Sequence, residues 1–335
     1  MLDRLGLVHR PRGQDQAGAP EIDPAAIAVP KFLPDAPEVR GDIADYYGAV
    51  EIFDGEVARH MEILEASGLA ARTMVIVCSD NGWQMPRGLA NLYGFGTRIP
   101  LIISMPQRLA GGRVVDAFVS LNDLAPTLLE LAGLAVPDNM TAKSLVPVLE
   151  GDGNASPVAR REFMVTALER HAFCRQDGVG CPARAIRTKD HLYIRNYEPD
   201  RWPAGDPPLY GDVDAHMLHY RCPTKMLLLT RRDEPGIRPL FDLGFAKRPA
   251  EELYDLRTDP DQMNNAAGDP QYQDVKARLA EQLTAYLKAT GDPRETGAEM
   301  KWLSGHYFAE ADKRPRPGQD AIEKFGLAEQ YSYID

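Results

Sequence analysis

Apolar residues run unbroken from Met74 to Cys78 and nearly so from Ile99 to Ser104, and each run is bounded by polar or Gly-rich chain. Short, β-branched runs of this kind predict strands, and the first has the pattern of a strand covered on both faces of a parallel sheet. Upstream, Tyr46, Tyr47, Val50, Phe53, Val57, Met61 and Leu64 form a helical stripe within Asp42 to Ser67, with Gly68 placed as its C-cap. Downstream, Val114 to Ser120 suits a third strand. Asn122 or Asp123 is then positioned to cap a helix holding Leu124, Leu128, Leu129 and Leu131, which Gly133 ends. Helices alternating with strands on this scale predict a three-layer α/β sandwich.

The pattern changes after Gly151. Arg184 to Asn196 alternates around Lys189-Asp190 and predicts a hairpin, and Asp274 to Ala289 predicts an amphipathic helix with Val275, Leu279, Leu283 and Tyr286 on one side. Residues 200–250, rich in Pro and Asp, are expected to be mostly irregular. Residues 10–40, rich in Pro, Gly, Asp and Ala, are expected to form a long surface loop. This division gives an α/β region over 1–155, a small α+β subdomain over 156–295 and a charged tail over 296–335.

Composition narrows the function classes. The 335 residues are 44% hydrophobic, enough for a large core, and the net charge of −11 without a long basic run argues against nucleic acid as a partner. The same acidity opposes a polyanionic ligand unless cations cluster locally. No stretch reaches the roughly 18 apolar residues of a membrane span, and Met1-Leu2-Asp3-Arg4 does not open a secretory signal. Four cysteines without ligand spacing predict neither a zinc site nor a disulfide scaffold, and Cys78 is expected to pack as a small apolar residue.

Chemistry is concentrated where the first strand ends, at Ser79-Asp80-Asn81-Gly82. Ligands of open α/β sheets bind beyond the carboxyl ends of the strands, so a carboxylate and an amide oxygen there can hold a cation or meet an anionic substrate. Equally, Asp80 and Asn81 can close an Asx-type turn with Gly82 in a positive-φ conformation.

The segment Thr73 to Pro106 resembles the sulfatase branch of the alkaline-phosphatase-like hydrolases, most of all the heparan N-sulfatase (N-sulfoglucosamine sulfohydrolase) group. Further stretches match in the same order: Val29 to Asp35, Val39 to Tyr47, Asp123 to Leu129 and Glu252 to Leu256. The resemblance implies a partial alkaline-phosphatase-like sandwich followed by an α+β subdomain with an antiparallel sheet. It also implies that Asp80 and Asn81 bind Ca2+, that His9, in Val8-His9-Arg10-Pro11, contacts the substrate and handles a proton, and that Arg87, Arg98 and His171 lie on the substrate side. The family's strand of paired calcium-binding aspartates and its Cys-x-Pro/Ala-Ser-Arg motif, source of the formylglycine nucleophile, have no counterpart here, so the chain resembles the second half of a sulfatase. Two positions depart from the family pattern: Leu89 stands where a sulfate-contacting lysine is usual, and Gly94 where an acidic residue follows the tyrosine. The expected activity is hydrolysis of sulfate esters or sulfamates of sugars, with the nucleophile supplied by an N-terminal half or a companion chain. Two alternatives are a noncatalytic remnant that binds a cation or glycan, and a phosphoesterase of the same superfamily. The second is disfavoured by the lack of histidine ligands after Asp80-Asn81.

Overall fold

The computed structural model describes residues 22–151, 156–171, 174–175, 178–208, 210–211 and 222–300. Helix α1 spans Pro37–Ala66, strand β1 Val75–Cys78, the single turn α2 Gly94–Thr97, strand β2 Leu101–Ser104, helix α3 Leu124–Leu131 and helix α4 Val146–Glu150. Then come β3 (Phe163–Leu168), β4 (Ala183–Thr188), β5 (His191–Asn196), α5 (Pro223–Thr230), α6 (Arg238–Phe245), β6 (Glu251–Asp255), α7 (Gln273–Ala289) and α8 (Pro293–Thr296).

Helix α1 begins where Pro37 presets the first turn and Glu38 faces the positive end of the helix dipole. It is buried only toward its N-terminus, where Val39 and Ile43 continue the predicted stripe at helical spacing, while Tyr46, Phe53, Val57, Met61 and Leu64 further along are half-buried. Val39, Ile43 and Ala44 are sealed against Phe32, Leu33 and Leu227 to Leu229 of α5, whereas Tyr47, Val50 and Ile63 are exposed. Burial follows a polar anchor. Asp42, itself buried, accepts the Thr224 amide at 3.1 Å and so satisfies an open N–H at the start of α5. The preceding segment, expected as surface loop, supplies Ile27, Phe32 and Leu33 to this same core from residue 22 onward, while residues 10–21 lie outside the described ones.

The first sheet differs from expectation in direction. Strands β1 and β2 pair antiparallel, with Val77 opposite Ile102 and Ile76 opposite Ile103. The connection over residues 79–100 holds only the one-turn α2 and folds back on itself, without the longer helix that usually carries a parallel crossover. Cover is one-sided as well. Leu101 and Ile103 pack on Leu145, Val148 and Val158, while Ile102 on the other face is 62% exposed. Val114 to Ser120 forms no strand, having no paired edge among the described residues, and Val114 is 91% exposed. Asp123, one of the two expected caps, is the N-cap residue of α3 but makes no side-chain bond to that helix, and the capping falls on the 3-10 turn Leu121–Asp123 that precedes it. Ser120 and Asp123 form a capping box, and Asp123 also receives two bonds from Arg161, at 2.6 and 2.8 Å.

The second sheet is antiparallel in the order β3-β4-β5-β6, with the predicted hairpin at its centre and Ala185 opposite Ile194. Side chains alternate between two covered faces. Ala183, Ala185, Leu192, Ile194 and Tyr254 meet Leu92 and Tyr93 on one side. Ile186, Tyr193 and Leu253 meet Leu279, Leu283 and Leu287 of α7 on the other. The region expected to be irregular contains α5 and α6. Their prolines, which suggest broken structure in the sequence, occupy the first helical positions, where a missing N–H costs nothing.

Candidate active-site loop

The chain from Ser79 to Arg98 leaves β1, folds back on itself and enters β2. The Ser79 hydroxyl donates to the Asn81 carbonyl at 2.7 Å, which tightens the turn. At Gly82 a Cβ would stand 2.1 Å from the Phe95 carbonyl oxygen, so this turn lies in backbone contact with α2 and tolerates no side chain. Trp83 and Phe95 anchor the loop in the core, their rings 4.7 Å apart and edge-on to Phe32. With the apolar side chains turned inward, Asp80 and Asn81 are left exposed at the tip, and their side chains make no hydrogen bond among the described residues. The Asx-turn alternative therefore does not describe this loop. Two hard oxygen donors are available to a ligand.

Calcium takes six to eight oxygens. Among the described residues no group of three or more His, Cys, Asp or Glu side chains could hold a metal ion. Asp80 and Asn81 thus fit part of a calcium shell and not the whole of one.

The two arginines of the loop differ. Arg87 is 2% exposed and donates to the carbonyls of Leu243 at 3.0 Å and Gln262 at 2.5 Å, with its guanidinium 3.9 Å from the centre of the Tyr93 ring. Its positive φ of 64° is held in place by these contacts. The structure places Arg87 in the core, as the tie between the loop and α6. Arg98, just after α2, is exposed. It acts electrostatically on Arg187 of β4, whose pKa is lowered by burial first and by Arg98 second. Nη1 of Arg187 is buried without a hydrogen-bond partner among the described residues, and it lies 3.7 Å from where a Cβ at Gly94 would stand. Arg98 and Arg187 thereby make a cationic corner on α2, the turn that Gly82 touches. The sequence reading missed Arg187 as anything but a hairpin residue. Its signal was the alternation that puts it with Ala183 and Ala185 on the face toward Tyr93.

Beneath the loop, Glu252 of β6 is buried and accepts hydrogen bonds from Tyr93 at 2.7 Å, Tyr254 at 2.6 Å and Asn196 at 2.7 Å. Burial, more than any neighbouring charge, pushes the Tyr93 phenol up to about 12, so it remains a donor. The network fastens the loop to the sheet. Leu89 is half-buried and bonds through its backbone alone, its N–H donating to the Trp83 carbonyl at 2.8 Å and its carbonyl accepting from Asn91 at 3.1 Å. His171 is half-buried in the β3–β4 connection, a segment fixed by Arg175 donating to the Trp202 and Pro203 carbonyls. His9 lies outside the described residues. Two surface concavities, of about 440 and 570 Å3, lie along α7 and not over Asp80.

Comparison with known proteins bears on the family and the fold. The sulfatase family model matches residues 11–134, and a model for the C-terminal region of N-sulphoglucosamine sulphohydrolase matches 89–206. Human N-sulphoglucosamine sulphohydrolase is 31% identical over 283 residues, 81% of this chain and 52% of that protein. Arylsulfatase K of Xenopus laevis is 34% identical over 319 residues, covering 86% and 48% respectively. The chain thus spans about half the length of the curated relatives it matches. A solved structure described as a complex with its substrate D-glucosamine-2-N,6-O-disulfate superposes with a TM-score of 0.55 at 23% identity, over 78% of this chain and 43% of the other. The phosphonate monoester hydrolase of Agrobacterium radiobacter superposes with a TM-score of 0.51 at 22% identity, over 82% and 45%. At such identities the likeness establishes the fold and leaves the chemistry open. With the sulfatase model covering the exposed Asp80-Asn81 tip and the second model covering β3 to β5 of the sheet beneath it, the chain belongs to the sulfatase family and has the alkaline-phosphatase-like fold.

Proposed function

We propose that this chain carries the C-terminal part of a sulfatase centre that hydrolyses sulfate esters or sulfamates of sugars, in the manner of the heparan N-sulfatase group. The observation that carries the reading is the pair of unengaged oxygens, Asp80 and Asn81, held at the end of β1 by a loop otherwise packed into the core. In this reading Asp80 and Asn81 contribute to a calcium shell completed by ligands from outside the described residues. Calcium, when bound, would neutralise sulfate oxygens. Arg98 and Arg187 supply a positive field beside the loop, and His9 orients or protonates the leaving group. The attacking group comes from another segment or a companion chain, since none of the four cysteines is followed by the Ser-Arg of the family's nucleophile motif.

A noncatalytic role for the chain is favoured by Leu89, which brings neither charge nor donor to the usual lysine position, and by Arg87, whose charge is held in the core. Hydrolysis of an aryl sulfate and of N-sulfated glucosamine, with and without calcium and against an Asp80→Ala control, decides between them. Calcium-dependent turnover that Asp80→Ala abolishes supports the catalytic reading. Folded protein that binds calcium through Asp80 yet turns nothing over supports the noncatalytic one.

A further inference from the structure

On the face of the second sheet away from the Asp80 loop, the β4–β5 turn, α7 and the segment before β3 border the cavity of about 570 Å3. Arg160, Lys189 and Arg278 line it, all exposed and none in an ion pair among the described residues, against the acids Glu162 and Asp190. Arg161 also borders the cavity, but its guanidinium is held by Asp123. In a chain of net charge −11, three uncommitted cations around one hollow are a local reversal of the field. His191, 7% exposed, forms part of the wall, and its Nε2 is buried without a hydrogen-bond partner among the described residues. A buried polar atom left unpaired is costly, and this one belongs to a residue that walls the cationic hollow.

The chemistry of these groups selects the ligand. Two guanidinium forks and an ammonium are all hydrogen-bond donors, and together they suit a tetrahedral oxyanion with several acceptor oxygens. The volume exceeds what a bare ion needs and falls in the range of small-ligand pockets, about 300 to 1,000 Å3. We propose that this cavity is a second oxyanion site, distinct from the Asp80 loop, which takes a sulfate group borne on a sugar. The sugar rests on the function proposed above, whereas the oxyanion rests on the cavity alone. Burial first and then the surrounding charges (Asp255 and Asp190 raising it, Arg257 and Arg278 lowering it) leave His191 below its ordinary pKa, so at neutral pH the ring is uncharged and carries one N–H.

Isothermal titration of the full chain at constant ionic strength, with glucosamine N-sulfate, sodium sulfate and unsulfated glucosamine, tests the site. The sulfated sugar is expected to bind more tightly than sulfate, and unsulfated glucosamine not at all. Arg278→Glu and Lys189→Glu, both at exposed positions where folding is insensitive, should each weaken binding at least tenfold, whereas Asp190→Asn should tighten it. Asp80→Ala should leave it unchanged, which separates this site from the catalytic reading. Binding that Asp80→Ala removes, or that the Arg278 and Lys189 variants leave intact, would overturn the site. Free sulfate binding as tightly as the sulfated sugar would overturn the sugar.

Discussion

Arg87 and Arg98 are both loop arginines in the sequence, and their surroundings separate them. Arg87 satisfies two carbonyls that would otherwise be buried and open, and it stacks on Tyr93. Arg87→Met is therefore expected to destabilise the chain by about 2 to 4 kcal/mol, through the orphaned acceptors and the strained φ they help to hold. Urea unfolding monitored at the tryptophans measures this. At Leu89 the opposite change is informative. Leu89→Lys, at a half-buried position, should raise sulfate-ester hydrolysis by about tenfold or more if a cation there stabilises developing charge. An unaltered rate in an otherwise active preparation would show that the loop does not face the reaction. Asp80 and Asn81 were legible as candidates because their residue types and their place after an apolar strand are sequence properties. That Arg87 is inside and Arg187 is beside Arg98 was not, because both facts depend on contacts between residues far apart in the chain.

Among the elements, the hairpin of β4 and β5 and helix α7 follow from alternation and helical spacing, and the structure places them within a residue or two of expectation. Their docking relies on buried ionic groups. Glu252 fastens Tyr93 and so the loop. Glu252→Gln, which replaces an acceptor-only group with one that also donates, is expected to cost about 2 kcal/mol or more and to loosen the loop, read as faster amide exchange at 92–96. On the α7 side, Arg184 joins Glu169 at 2.6 Å and Asp292 at 2.7 Å, and Arg294 joins Glu169 at 2.7 Å. Burial pushes the pKa of Glu169 and Asp292 up, but hydrogen bonds from these arginines outweigh it and leave both lowered. A lowered folded-state pKa gives stability that is present above the unfolded value and lost as pH falls through the folded one. Unfolding free energy should therefore be level above about pH 5 and decline below about pH 4, near the unperturbed carboxylate range. Denaturant melts across pH 3 to 7 check the sign, and an Arg184→Met variant should flatten the decline.

For the whole molecule, the main consequence is the apolar surface around the first sheet and α1. Ile63, Ile102, Val114 and Leu134 are 58 to 91% exposed, far from the usual state of such side chains. Among the described residues the two-stranded sheet also has open edges. The chain expressed alone is expected to self-associate at micromolar concentration. Sedimentation velocity tests this, with Ile102→Lys reducing the association, and a monodisperse monomer would contradict it.

Sequence alone determined the strand before Asp80, the hairpin, α7 and the family, since each is written in local periodicity or in ordered short motifs. Only the tertiary structure decided that β1 and β2 run antiparallel, that Ile27, Phe32 and Leu33 enter the core, that α1 is sealed at Val39 and Ile43 while the stripe beyond them is only half-covered, and that two cationic clusters form on opposite faces of one sheet. The physical reason is the same in each case. Periodicity fixes which residues share a face, but which face is covered, and by what, is set by long-range packing and by the few buried polar groups that must find partners.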